Sequence, residues 1–218
     1  MNDSPPIASM PVVPAHERAR VLSLPNLLTY ARVVAVPALV LCFYLEGNAS
    51  RWFSFAVFVF ASVSDFFDGY LARAWSQQSA IGRLLDPIAD KLLVATALML
   101  LVWSGTIGGW SLLAAIIILV REISVSGLRE FLAGLKNVSI PVTRLAKYKT
   151  TMQMVAIGFL LIGPPGDHLL RYYFTADLGV VTYVGLLLLW VSALITLYTG
   201  YDYFRASLRH IVEDETAP

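Results

Sequence analysis

An all-α polytopic membrane protein with six transmembrane helices is the fold class this sequence predicts, and three observations carry the prediction. Of the 218 residues, 57% are hydrophobic and 14% charged, with a mean hydropathy of +0.68; a soluble domain of this length carries about 25% charged residues. Such a chain cannot cover itself with polar surface in water, and its length is that of one domain. Charge-free runs at 33–45, 52–64, 92–120, 150–166 and 178–201 recur along it. The basic residues fall almost entirely on one side of those runs.

A bilayer span takes about 20 residues. The run at 92–120 is too long for one helix and is broken by Ser104-Gly105-Thr106-Ile107-Gly108-Gly109. Trp103 and Trp110 flank that break, as interfacial aromatics do. Six helices follow, at 27–45, 52–73, 86–103, 109–131, 147–163 and 178–203. Pro37 is expected to kink the first, and Pro164-Pro165-Gly166 to end the fifth. Residues 1–22 hold four prolines and no apolar run, so they read as a tail without a signal peptide, with room for a short surface helix at 16–22. Residues 23–204 form the membrane domain and 205–218 a C-terminal tail. Cys42, the single cysteine, reads as a packing residue.

Several runs span only if they extend into charged positions: Arg32 in the first, Asp65 and Asp68 in the second, Asp86, Asp90 and Lys91 in the third, Arg121 and Glu122 in the fourth. With alternating spans these groups share one side. Of 16 Lys and Arg, only Arg51 and Arg171 lie in the loops of the other side. The positive-inside rule therefore puts both termini and the charged helix ends in the cytoplasm. Ionisable groups inside spans cost about 2.5–3.5 kcal/mol each on insertion scales and usually face a polar cavity. A cytoplasm-facing polar cavity is the expectation. Snorkelling accounts for Arg205 and Arg209, but aspartate side chains are too short for it.

Residues 65–90 read DFFDGYLARAWSQQSAIGRLLDPIAD. Asp65 and Asp68 are three apart and Asp86 and Asp90 four apart, so each pair forms a carboxylate edge on its helix. A short connection lets the two edges face each other. Four carboxylates there balance two divalent cations, and oxygen ligands without His or Cys suit Mg²⁺ or Mn²⁺ and not zinc. Gly69 lets a ligand approach the backbone, Gly82 permits close approach of helix or loop, and Arg73 can hold phosphate by a bidentate fork.

This stretch resembles the signature of the CDP-alcohol phosphatidyltransferase family, D-x2-D-G-x2-A-R-x8-G-x3-D-x3-D. All eight specified positions match: Asp65, Asp68, Gly69, Ala72, Arg73, Gly82, Asp86 and Asp90. At residue frequencies of roughly 5–8% each, chance would give this on the order of 10⁻¹⁰ per starting position, so coincidence does not explain it. Pro25-Asn26-Leu27-Leu28-Thr29 with Arg32 is similar to the family's approach to its first span. Arg121–Phe131 (REISVSGLREF) and Lys147–Met154 (KYKTTMQM) resemble the bacterial branch that makes phosphatidylglycerophosphate. The likeness runs from about residue 22 to 204.

The resemblance implies a six-helix bundle, often a homodimer, in the bacterial cytoplasmic (inner) membrane, surrounded by membrane lipids and with no nucleic-acid partner. Two divalent ions hold the pyrophosphate of CDP-diacylglycerol, and an acceptor hydroxyl displaces CMP; in the branch named above the acceptor is glycerol 3-phosphate. Carried over, Asp65, Asp68, Asp86 and Asp90 are the metal ligands, and Asp90 is also the general base. Asn26, Thr29, Arg32, Gly69, Ala72, Arg73 and Gly82 are candidates for the CDP-lipid. Arg121, Arg129, Arg144, Lys147 and Lys149 are candidates for the acceptor's phosphate, with Glu122 pairing Arg129. A topogenic role competes for these cations, back-bonding within its helix for Thr29 and snorkelling for Arg32. Within the family, phosphatidylinositol-phosphate, cardiolipin and phosphatidylserine synthesis are alternatives. Outside it the rival is a divalent metal-ion transporter, since intramembrane carboxylates also mark ion pathways.

Overall fold

The computed structural model describes residues 24–45, 47–75, 80–134, 144–174 and 179–216. The described residues form six helices and no strand: α1 Leu24–Phe43, α2 Asn48–Trp75, α3 Ala80–Trp103, α4 Ser111–Gly134, α5 Arg144–Phe174 and α6 Val180–Thr216. The expected tail at 1–22 lies outside the described residues. α1, the shortest, has 20 residues, and 20 residues of helix reach about 30 Å. Asn26–Phe43, Ser111–Leu132 and Val180–Ser207 are long and apolar enough to cross a membrane by length and composition.

α1 packs on α2 and α3, α6 packs on α5 and α4, and α2 against α5 joins the two groups. The core is built by residues at helical spacing, such as Ala35, Leu39 and Phe43 on α1 and Leu93, Ala97 and Leu101 on α3. The surface has the opposite character to that of a soluble protein. Val34, Leu41, Phe60, Met99, Ile123 and Leu187 are exposed while Ser54, Gln153, Ser192 and Thr196 are buried. Exposed apolar faces of this kind are solvated by lipid. Serine hydroxyls on α2 return to their own helix, with Ser54, Ser62 and Ser64 donating to the carbonyls of Ser50, Phe58 and Phe60. They satisfy themselves without water.

The connections fix the two ends of the bundle. The break between α3 and α4 lies where expected, with exposed Trp103 and Trp110 beside it and Ile107 buried beneath it. Gly105 and Gly109 take φ of 73° and 54° there, a conformation that glycine adopts freely. Arg51 Nη2 donates to Thr106 Oγ1 at 3.1 Å and its guanidinium lies 4.6 Å from the centre of the Phe43 ring. The end of α1, the start of α2 and the α3–α4 turn therefore meet at one end. At the opposite end the starts of α1 and α3 meet the end of α2.

Two elements differ from expectation. Pro164-Pro165-Gly166 does not end α5, which continues to Phe174. Neighbouring structure can hold a proline-containing membrane helix together, and here α6 does so. A Cβ on Gly163 would lie 2.7 Å from Thr182 Oγ1, so the helices approach as closely as glycine permits. Asp167 then accepts from the Val181 amide at 2.7 Å and from the Thr182 hydroxyl at 2.5 Å, placing a carboxylate on the N-terminus of α6 where the helix dipole favours it. α6 itself runs past 204 to Thr216, so the expected C-terminal tail continues the last helix.

Candidate active site

α1 supplies one wall. Asn26, Thr29 and Arg32, spaced by three, share one helix face and are all buried, Arg32 to 1% exposure. The Arg32 Nη1 lies 2.7 Å from Asp65 Oδ1 at the end of α2 and 3.3 Å from Asp86 Oδ1 near the start of α3. The Thr29 hydroxyl donates to the same Asp86 oxygen at 3.2 Å. Thr29 thus faces the carboxylates, and Arg32 turns inward instead of snorkelling. One cation joins the two carboxylate edges, although it lies far from both in sequence.

Gly82 is buried in the first turn of α3. The side chains of Asp68, Gly69, Ala72 and Arg73 on α2, and of Arg144 and Lys147 on α5, lie outside the described residues. Among the described residues no three acidic, His or Cys side chains close around one ion position. The donor chemistry nonetheless fits a hard divalent cation. Asp65 and Asp86 already share one positive group, and no sulfur or imidazole accompanies them.

Asp90, one turn beyond Asp86 on α3, faces a second place. It lines a cavity of about 40 Å³ with Lys91 of α3, Glu122 of α4 and Thr150 and Gln153 of α5. Glu122 pairs with Lys149 of α5 and stands 3.6 Å from Arg121. Arg121 Nη2 in turn donates to Thr199 Oγ1 of α6 at 3.1 Å. Two cations from two helices therefore converge on one carboxylate beside the Asp90 cavity. Lys149 is 2% exposed, and a buried ammonium requires such a partner.

The expected pairing of Glu122 with Arg129 is not formed. They share a helix side, but seven residues separate them by about 10.5 Å along the axis. Lys149 reaches Glu122 from the neighbouring helix, and Arg129 lies 5.8 Å from the Tyr203 ring centre. Arg129 is exposed, so Arg121 and Lys149 form the cationic pair nearest the cavity among the described candidates.

Three contributions from α5 and α6 were not anticipated from the sequence. Thr199 anchors Arg121; Gly200 leaves room for it, since a Cβ there would lie 2.9 Å from Arg121 Cγ. Gln153 is 2% exposed and lies four residues after Lys149, on the same helix face. A polar residue at that spacing within an apolar run was the available signal. Along the outer face of α2 an apolar groove runs from Phe55 through Val59 and Val63 to Phe67, with Leu28 of α1 at its edge. Its Phe67 end is two residues from Asp65.

The chain matches the family described as CDP-alcohol phosphatidyltransferase over residues 22–198. It is similar to a protein of Cereibacter sphaeroides, at 40% identity over 219 residues covering 88% of this chain and 99% of the relative. A protein of Rickettsia bellii is 43% identical over 188 residues, covering 86% and 97%. One of Shigella flexneri serotype 5b is 40% identical over 192 residues, covering 88% and 98%. Each of the three is named CDP-diacylglycerol–glycerol-3-phosphate 3-phosphatidyltransferase.

Proposed function

We propose a reaction from one premise: the chain belongs to the CDP-alcohol phosphatidyltransferase family. The reaction is transfer of the phosphatidyl group of CDP-diacylglycerol to glycerol 3-phosphate, giving phosphatidylglycerophosphate and CMP. The observation that carries it is the adjacency of two anion-handling places, the carboxylate cluster of α2 and α3 and the cations beside Asp90. A donor pyrophosphate and a phosphorylated acceptor need such a pair. The relatives' named acceptor is carried to this chain on that ground.

Asp65, Asp68, Asp86 and Asp90 would hold Mg²⁺ or Mn²⁺, which supplies neutralisation of the pyrophosphate and of the charge on departing CMP. Gly69, Ala72 and Arg73, with Asn26 and Thr29, form the nucleotide side. The groove from Phe55 to Phe67 suits the acyl chains of a lipid whose headgroup lies at Asp65. Arg121 and Lys149 hold the acceptor's phosphate, and Asp90 takes the proton of the attacking hydroxyl. That oxygen bonds to the lipid-bearing phosphorus, the pyrophosphate P–O bond breaks, and CMP leaves with the electron pair. The site works at the cytoplasmic face of a bacterial inner membrane, in a homodimer.

The test is an acceptor panel with purified protein, CDP-diacylglycerol and Mg²⁺, read by CMP release and by the mass of the lipid product. Glycerol 3-phosphate should give phosphatidylglycerophosphate, while serine, inositol phosphate and phosphatidylglycerol give no product. A product formed from another acceptor would replace this reading. Absence of CMP release with every acceptor would favour a transporter.

A further inference from the structure

The cavity that Asp90 lines contains a polar group the proposed reaction has not used. Gln153 lines it together with Asp90 and Glu122. Its side-chain Oε1 is sealed from solvent and has no hydrogen-bond partner among the described residues. A serine or threonine in a membrane helix can return its hydroxyl to its own backbone, as Ser54 and Thr199 do. An amide oxygen only accepts, and the backbone donors of a helix interior are already engaged. A buried acceptor without a donor is rare and calls for an explanation.

The dimensions suggest what supplies the donor. A cavity of about 40 Å³ holds a few waters or one small hydroxyl-bearing group, so a phosphate stays outside it. Lys149 and Gln153 are one turn apart on the same face of α5, about 6 Å along the axis. A three-carbon phosphate is about that long, so an acceptor whose phosphate lies toward Lys149 and Arg121 brings its hydroxyls, the secondary one between the phosphate and the primary one, to the cavity that Asp90 and Gln153 both line.

Resting on the reaction proposed above, we propose that Gln153 determines acceptor specificity, its Oε1 accepting a hydrogen bond from the secondary hydroxyl of glycerol 3-phosphate. Gln153 forms and breaks no bond. It completes the amide's hydrogen bonding only when the acceptor carries a hydroxyl at that carbon. A site built this way discriminates against an analogue lacking the hydroxyl, because the buried oxygen is then left unpaired.

The experiment compares glycerol 3-phosphate with 3-hydroxypropyl phosphate, which keeps the phosphate and the primary hydroxyl and lacks the secondary one. The wild-type protein in detergent, with CDP-diacylglycerol and Mg²⁺, should lose at least about tenfold in kcat/KM on the analogue. Gln153→Met, which keeps the side-chain volume, should lose about as much on glycerol 3-phosphate and change little on the analogue, so that the two acceptors become near-equivalent. A merely structural role would lower both acceptors alike, and that result would overturn the proposal. So would equal use of the two acceptors by the wild type, a comparison that needs no variant to fold. No CMP release by the wild type with either acceptor would instead overturn the underlying reaction.

Discussion

Asp65, Asp86 and Asp90 sit within one stretch of sequence yet meet different surroundings. Asp65 and Asp86 share Arg32, whereas Asp90 faces a cavity with Glu122 and Gln153. In the proposed reaction Asp65 and Asp86 serve as ligands, and Asp90 serves as ligand and base. Asp90→Asn keeps the shape and removes the base, so kcat should fall by roughly 10²–10⁴-fold while CDP-diacylglycerol still binds. Steady-state kinetics with a separate lipid-binding assay check this, and parallel loss of binding would make Asp90 a ligand alone. Arg32 gives a second prediction. It is the positive group between two carboxylates, so Arg32→Ala leaves them to repel each other, and added divalent cation should relieve that repulsion. The drop in Tm on Arg32→Ala should therefore be larger in chelator than in saturating Mg²⁺. An equal drop in both would mean that Arg32 stabilises by packing and not by charge.

At the scale of elements, the helices and their polar ends were legible, because charge-free runs and interfacial tryptophans are properties of single segments. The α3–α4 break at Ser104-Gly105 was readable for that reason. What one helix presents to another was not. Helical periodicity states which side of α4 carries Glu122 but not that Lys149 of α5 waits there, and it puts Arg129 on that side although it is out of reach. Pro164 and Pro165 read as a stop because their local chemistry is unfavourable. The contacts of Gly163 with Thr182 and of Asp167 with the start of α6 override it. The same limit hid Gly200, which has no chemistry of its own and matters because Arg121 lies against it. Gly200→Ala should push Arg121 off Thr199 and raise the KM for the acceptor several-fold or more. A charge-assisted bond contributes about 1.5–3 kcal/mol, so complete loss would raise it tenfold or more. The KM for CDP-diacylglycerol, held at the other place, should change little. Equal change in both would place Arg121 elsewhere in the reaction.

At the scale of the whole molecule, the two ends of the bundle are chemically unlike. One end holds Arg32, Asp65, Asp86, Asp90, Arg121 and Lys149, with Arg129 on the same stretch of α4. The other is closed by Arg51, Thr106 and the Asp167 cap. CDP-diacylglycerol and glycerol 3-phosphate bear several negative charges and do not cross a bilayer unaided, so the charged end must face the compartment that holds them. Lys and Arg are retained in the cytoplasm during insertion, which sends the same end to the same side. Both arguments predict that the start of α2 is external and the end of α6 internal. Cys42 is the single cysteine, so Cys42→Ser gives a thiol-free background in which Asn48→Cys and Thr216→Cys report the two ends. A membrane-impermeant maleimide should label Asn48→Cys in intact spheroplasts and Thr216→Cys only after permeabilisation. The reverse pattern would turn the site outward, away from both substrates, and would leave the catalytic reading without a supply of acceptor. Labelling of both sites in intact spheroplasts would place the two ends on one side, and an even number of the five helices from α2 to α6 would then have to cross.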